Sequence, residues 1–141
     1  MVRKKEKPKV ILTLGKRKDA IARAKVVAGS GKIKINCVPL EVWRNEFLRM
    51  RVMEPLILAG DLAKKVDIDV NVRSGGTTGQ TEAVRMAVAR ALVDFHKSKE
   101  LRQKFISYDR NLLVFDPRRN EPHKPSASKR GPRRHKQRSK R

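Results

Sequence analysis

The segment Val66-Asp-Ile-Asp-Val-Asn-Val-Arg73 constrains the fold more than any other, because Val66, Ile68, Val70 and Val72 alternate with polar residues at a period of two. A strand written this way buries one face and leaves the other wet, so the chain must supply a second layer to cover its valines and isoleucine. That layer follows directly. After Gly75-Gly76, Ala83, Ala87, Ala91 and Phe95 recur at helical spacing with Val84, Val88 and Leu92 beside them, which predicts a helix over Thr77–Phe95 with one apolar face. Thr77 and Gln80 have the spacing of a capping box, and Glu82 with Arg85 and Arg90 with Asp94 read as ion pairs on the outward side.

The same reasoning extends to the rest of the chain. A short strand is expected at Val10–Leu14, and the β-branched stretch Ile21–Val27 is expected to pair as a hairpin with Lys32–Cys37 across Gly29-Ser30-Gly31. Alternation within Lys32–Cys37 puts Cys37 on the apolar side with Ile33 and Ile35, as a buried thiol. Helical patterning covers Glu41 to Lys65 with a break before Pro55, and Ser98–Tyr108 reads as a further helix capped by Ser98. Strands first and helices after predict an α+β class, one mixed sheet with helices on one face.

Charge decides the class of partner. Lys and Arg number 36 against 14 Asp and Glu, giving a net charge of +22 in 141 residues and a pI near 11.2. Such a balance repels itself unless a polyanion neutralises it, which points to nucleic acid. Residues 117–141 hold eleven bases, one acid and four of the seven prolines, with Ala127 their one apolar side chain. With nothing to bury, this segment is expected to stay extended until an anionic surface holds it. Residues 1–8 form a basic N-terminal arm, and 9–116 the one globular domain, itself basic with 21 bases and 12 acids. One cysteine excludes an internal disulfide and a cysteine metal cage. No apolar run approaches the roughly 18 residues of a membrane span. The start lacks the apolar segment of a secretory signal, so the expected location is the cytosol, with no membrane partner.

Two motifs suggest phosphate contact. Gly75-Gly76-Thr77-Thr78-Gly79-Gln80 joins the best strand to the best helix, where backbone amides and the positive helix end attract anions; the alternative is a tight turn and nothing more. Gly15-Lys16-Arg17-Lys18 crowds three cations beside a strand with only Asp19 adjacent. In the strand that follows, Ala20, Ala22, Ala24 and Val26 share one face, leaving Arg23 and Lys25 on the other as a basic sheet face. His96, His123 and His135 show no metal spacing, Asp67 and Asp69 read as a solvated strand face, and Trp43, Phe47 and Tyr108 are too scattered to stack bases. Neither catalytic residues nor a cofactor is expected. A DNA-compacting protein and a small phosphotransfer enzyme are the competing classes; a long arm without a dimer motif disfavours the first, and the lack of a nucleophile constellation the second.

Gly15-Lys-Arg-Lys-Asp-Ala-Ile-Ala-Arg-Ala24, Val72-Arg-Ser-Gly-Gly-Thr-Thr-Gly-Gln80 leading into Arg85-Met-Ala-Val-Ala-Arg-Ala-Leu92, and the terminal Gln137-Arg-Ser-Lys-Arg141 occur in that order. In these motifs the chain resembles, almost end to end, the family of the ninth protein of the small ribosomal subunit in its archaeal form. The resemblance implies the β-α-β fold shared with the second domain of the fifth small-subunit protein, and binding to small-subunit ribosomal RNA in the head of the particle beside neighbouring head proteins. Carried onto this chain, the RNA-binding candidates are Lys16, Arg17, Lys18, Arg23, Lys25, Arg73, Gly75, Gly76, Thr77, Gln80 and Arg110, then Arg118, Arg119, Lys129, Arg130, Arg133, Arg134 and Lys136 in the tail. It further implies that Arg138, Ser139, Lys140 and Arg141 approach the anticodon stem-loop of transfer RNA in the peptidyl site. The proline-rich stretch Asn120 to Ser128 departs from the family's bacterial pattern by lacking its usual basic run.

Overall fold

The structure, a computed structural model, describes residues 10–119. In chain order it contains β1 (Ile11–Arg17), β2 (Ala20–Ala28), β3 (Ile33–Ile35), β4 (Val38–Pro39), α1 (Glu46–Ala59), β5 (Val66–Arg73), α2 (Thr77–His96) and α3 (Lys99–Tyr108). Short 3-10 segments lie at Leu40–Val42, Gly60–Lys65 and Arg110–Leu112. The five strands form one mixed sheet in the order β1-β2-β5-β3-β4, antiparallel except for the parallel pair β3 and β5. The α+β class and the single mixed sheet are as the sequence predicts.

The expected hairpin between Ile21–Val27 and Lys32–Cys37 does not form. β2 pairs with β1 on one side and β5 on the other, and β5 lies between β2 and β3. The reason is burial: β5 carries four buried β-branched side chains and takes a central place with a neighbour on each side, while the three-residue β3 lies outside it. Gly29-Ser30-Gly31 is therefore a connection past the end of β5, tied there by Asp67, which accepts the N–H groups of Ser30 and Lys32 at 2.8 and 2.9 Å. β1 is longer than Val10–Leu14 suggests, continuing through Lys16 and Arg17 into a two-residue turn where Lys18 adopts φ 51°.

α2 supplies the covering layer. Ala20, Ala22, Ala24 and Val26 of β2 are fully buried, as are Ala83, Val84, Ala87, Val88, Ala91 and Leu92 of α2. Small residues on both surfaces bring the backbones close: a β-carbon on Gly15 would collide with the Ala83 carbonyl and the Ala87 amide, and Thr13 Oγ1 donates to the Ala87 carbonyl at 2.9 Å. Gly15 is a packing glycine as well as the start of a basic motif. α1 does not break before Pro55, which lies buried inside the helix between Val52 and Ala59. Their burial offsets the roughly 3 kcal/mol that proline costs within a helix, and α1 stops instead at Gly60, with φ 55°. α3 is capped as expected, Ser98 Oγ accepting from the Leu101 amide at 3.2 Å.

Candidate nucleic-acid interface

Adjacent strands bring the two phosphate-binding motifs together. The β1–β2 turn and the β5–α2 loop lie at one end of the sheet, since Arg17 is opposite Ala20 and Ile21 opposite Arg73. Arg17, Lys18, Asp19, Gly75, Gly76, Thr77, Thr78 and Gly79 line one cleft of about 340 Å³ there. The two loop glycines differ in role. Gly75 has φ 72°, and a β-carbon on it would lie 2.9 Å from the Ala20 nitrogen, so the turn itself requires glycine. Gly76 has an extended φ of −90° and open space where a β-carbon would be, so neither backbone nor packing requires it.

Gly76, not Thr77, is the N-cap of α2, and no side chain caps the helix. The expected capping box is therefore absent: Gln80 turns back, its Nε2 donating to the Ser74 carbonyl at 3.0 Å and its Oε1 accepting from Arg44. Gln80 braces the loop, while Thr77, Thr78 and Gly79 leave the positive end of α2 beside Arg17 and Lys18.

The last described residues lie at this same rim. Arg90 donates to the Leu113 carbonyl at 3.0 and 2.7 Å and to the Leu14 carbonyl at 2.9 Å, with its guanidinium 4.0 Å from the centre of the Phe115 ring. The expected outward pair with Asp94 is replaced by these contacts, and burial pushes the Arg90 pKa down against the charge of Asp94. Next along the chain, Asp116 pairs with Arg17 and with Arg118, the latter at 2.8 Å. Arg17 thus has a carboxylate partner 99 positions away, where the sequence offers only Asp19 nearby. Arg110, Arg118 and Arg119 are exposed.

The helix-free side of the sheet is the second cationic surface. Register aligns Leu12, Lys25, Asp69 and Lys34 in one row, Leu14, Arg23 and Asn71 in the next, and Lys16, Ile21 and Arg73 at the rim. Arg23, Lys25, Lys34 and Arg73 are exposed, so the basic face read from β2 alone extends across three strands. Lys34 joins this face from β3, and its place between Ile33 and Ile35 is the sequence signal for it. Asp67 is held below the usual carboxylate range by the N–H groups of Lys32 and Ser30, so it is a structural acceptor rather than a solvated carboxylate.

Arg85 overturns its expected place on the outward side of α2, being only 3% exposed. It pairs with Asp109 at 2.8 Å, with Glu82 at 3.5 Å and with Glu54, joining α1, α2 and the segment after α3. Burial works against its charge, but the Asp109 hydrogen bond and the charges of Glu54 and Glu82 outweigh that and raise its pKa. An arginine inside the apolar run Ala83-Val84 and Met86-Ala87-Val88-Ala89 must be paired, and the available signal is that run.

Cys37 is exposed rather than buried, because β3 ends at Ile35 and Asn36 and Cys37, at φ 49° and 67°, form the turn into β4. His96 is occupied with the Leu62 carbonyl at 2.9 Å. Trp43 is buried while Phe47 and Tyr108 are exposed, so they form no common platform. Among the described residues no cluster of metal-ligating side chains occurs, and no helix is long and apolar enough to cross a membrane. The N-terminal arm, Lys129, Arg130, Arg133, Arg134, Lys136, Arg138, Ser139, Lys140 and Arg141 lie outside the described residues.

These features define a class: a small cationic α+β domain with one sheet face covered by helices and the other open and basic. A family model described as "Ribosomal protein S9/S16" matches residues 15–141. The chain is 51% identical over 131 residues to the small ribosomal subunit protein uS9 of Methanococcus vannielii, covering 93% of this chain and 98% of that protein. It is 53% identical over 120 residues to uS9 of Pyrobaculum aerophilum, covering 85% and 84% respectively. The chain belongs to the ribosomal protein S9/S16 family. It is accordingly a structural constituent of the small ribosomal subunit and not an enzyme.

Proposed function

We propose that the domain binds small-subunit ribosomal RNA in the head of the particle through the rim cleft and the open sheet face, and that residues 117–141 continue this contact to the peptidyl-site transfer RNA. The observation that carries the reading is the convergence of two motifs some 60 residues apart, Arg17-Lys18 and Gly75–Gly79, on one cleft at the positive end of α2. Phosphate oxygens there meet Lys18, the α2 amides and Arg17, which exchanges its Asp116 carboxylate for a phosphate. Arg23, Lys25 and Arg73 take further backbone phosphates on the open face with Lys16 at its rim, and Arg110, in the short 3-10 segment after α3, adds an exposed cation on the helical side. Arg118 and Arg119 start the tail contact, which Lys129 to Lys136 continue and Arg138 to Arg141 complete at the anticodon stem-loop. A polyproline-like segment of 25 residues, at about 3.1 Å per residue, reaches on the order of 75 Å, enough for a distant site.

Salt dependence tests this. If the tail makes about six phosphate contacts, deleting residues 117–141 lowers the slope of log affinity against log salt by roughly 4–5 units, and an unchanged slope refutes a tail contact with RNA.

A further inference from the structure

α1 is apolar on both sides. Val52, Pro55 and Ala59 face the core, yet Phe47, Met50 and Ile57, three and seven residues apart along the opposite side, are 74%, 54% and 75% exposed. Val42, in the turn just before the helix, is 67% exposed and adds to the same end of the chain segment. Scattered apolar side chains are ordinary on a surface, but a helical stripe of three large ones, none of them packed against the core, marks a docking surface.

Charge sets this surface apart from the rest of the molecule. Residues 38–60 hold three acids, Glu41, Glu46 and Glu54, and three arginines, so this stretch carries no net charge in a chain of +22. The arginines are also engaged internally: Arg44 with Gln80 and the Trp43 ring, Arg49 with the Glu41 carbonyl, and Arg51 with Glu54 at 3.0 Å and Glu82 at 3.4 Å. An RNA backbone gains little from such a face when the open sheet offers Arg23, Lys25, Lys34 and Arg73. A second copy brings another +22 against it, and residues 117–141 have Ala127 as their one apolar side chain, so neither suits the stripe.

We propose that the outer side of α1 docks a different protein of the small subunit, one presenting an apolar surface of low net charge into which Phe47 and Ile57 insert. The proposal rests on the reading that the basic face is given over to RNA, which leaves α1 as the protein-facing side. Hydroxyl-radical footprinting tests it on the unaltered chain, comparing free protein with native small subunits. Oxidation of Phe47, Met50 and Ile57 is expected to fall tenfold or more in the subunit; equal oxidation overturns the proposal. A benzophenone photoprobe replacing Phe47 then identifies what covers the stripe: a crosslink to another subunit protein supports the proposal, whereas a crosslink to RNA or to a second copy of this chain overturns it. Ile57→Glu should reduce the amount of the crosslinked protein in the particle by roughly tenfold or more without changing the free chain's RNA affinity. An unchanged amount contradicts the proposal, and a loss of RNA affinity would instead count against the placement of the RNA interface.

Discussion

The two sides of the one sheet differ residue by residue along the same strands. On β2, Ala20, Ala22, Ala24 and Val26 lie under α2 while Arg23 and Lys25 face outward; on β5, Val66, Ile68, Val70 and Val72 are buried while Asp69, Asn71 and Arg73 are not. A period of two therefore writes the fold on one side and the ligand surface on the other. The lesson lies in the charges: a cation under the helices is held by internal acceptors, carboxylates for Arg85 and carbonyls for Arg90, whereas Arg23 on the open side has no acid opposite it in register. Arg85 and Arg23 are the two extremes.

Breaking that contrast should give its largest effect at Arg85. Arg85→Ala removes the buried cation shared by Glu54, Glu82 and Asp109, leaving Glu54 and Glu82 only the half-exposed Arg51, and should cost roughly 3 kcal/mol or more in urea unfolding. Arg23→Ala should stay within about 0.5 kcal/mol of the parent. Comparable losses at the two positions would erase the distinction between the two sides.

The rim glycines sharpen it at an intermediate scale. Gly75→Val forces a β-branched residue to φ 72° against Ala20 and should destabilise by roughly 1–3 kcal/mol. Gly76→Val meets open space, so it should fold normally and lose RNA affinity where the phosphate must approach. Normal RNA binding by a folded Gly76→Val protein would remove the loop from the interface.

How far these roles were legible follows from where the partners lie. The alternation of β5, the apolar face of α2 and the Ser98 cap are local patterns, and each forms as the sequence predicts. Pairings were not local. The order β2-β5-β3 depends on which strand most needs two neighbours, and no spacing across Gly29-Ser30-Gly31 encodes it. Arg85 finds Glu54 and Asp109 on either side of it in sequence, and Arg17 finds Asp116 near the end of the described chain, so both arginines looked exposed. Cys37 failed for a smaller reason, a strand that ends two residues early.

The smallest effect concerns pH. Burial tends to raise the pKa of Asp109, but the Asn111 N–H and the Arg85 guanidinium outweigh it and hold the carboxyl below its ordinary value. Its stabilisation is thus present above the unfolded value near 4 and lost as pH falls through the lower folded one. The stability gap between parent and Asp109→Asn should accordingly be full at neutral pH and shrink as the pH falls below the unfolded value near 4. A gap that widens on acidification would contradict the assignment.

The most direct measurement is the salt dependence of small-subunit RNA binding by the full chain and by a variant carrying Lys16→Gln, Arg23→Gln, Lys25→Gln and Arg73→Gln. All four side chains lie on the open face or its rim, away from the helical layer. Four lost phosphate contacts should lower the slope of log affinity against log salt by roughly 3–4 units while the thermal midpoint stays put. A folded variant that keeps the parent's slope would contradict the placement of the RNA interface on this side of the sheet.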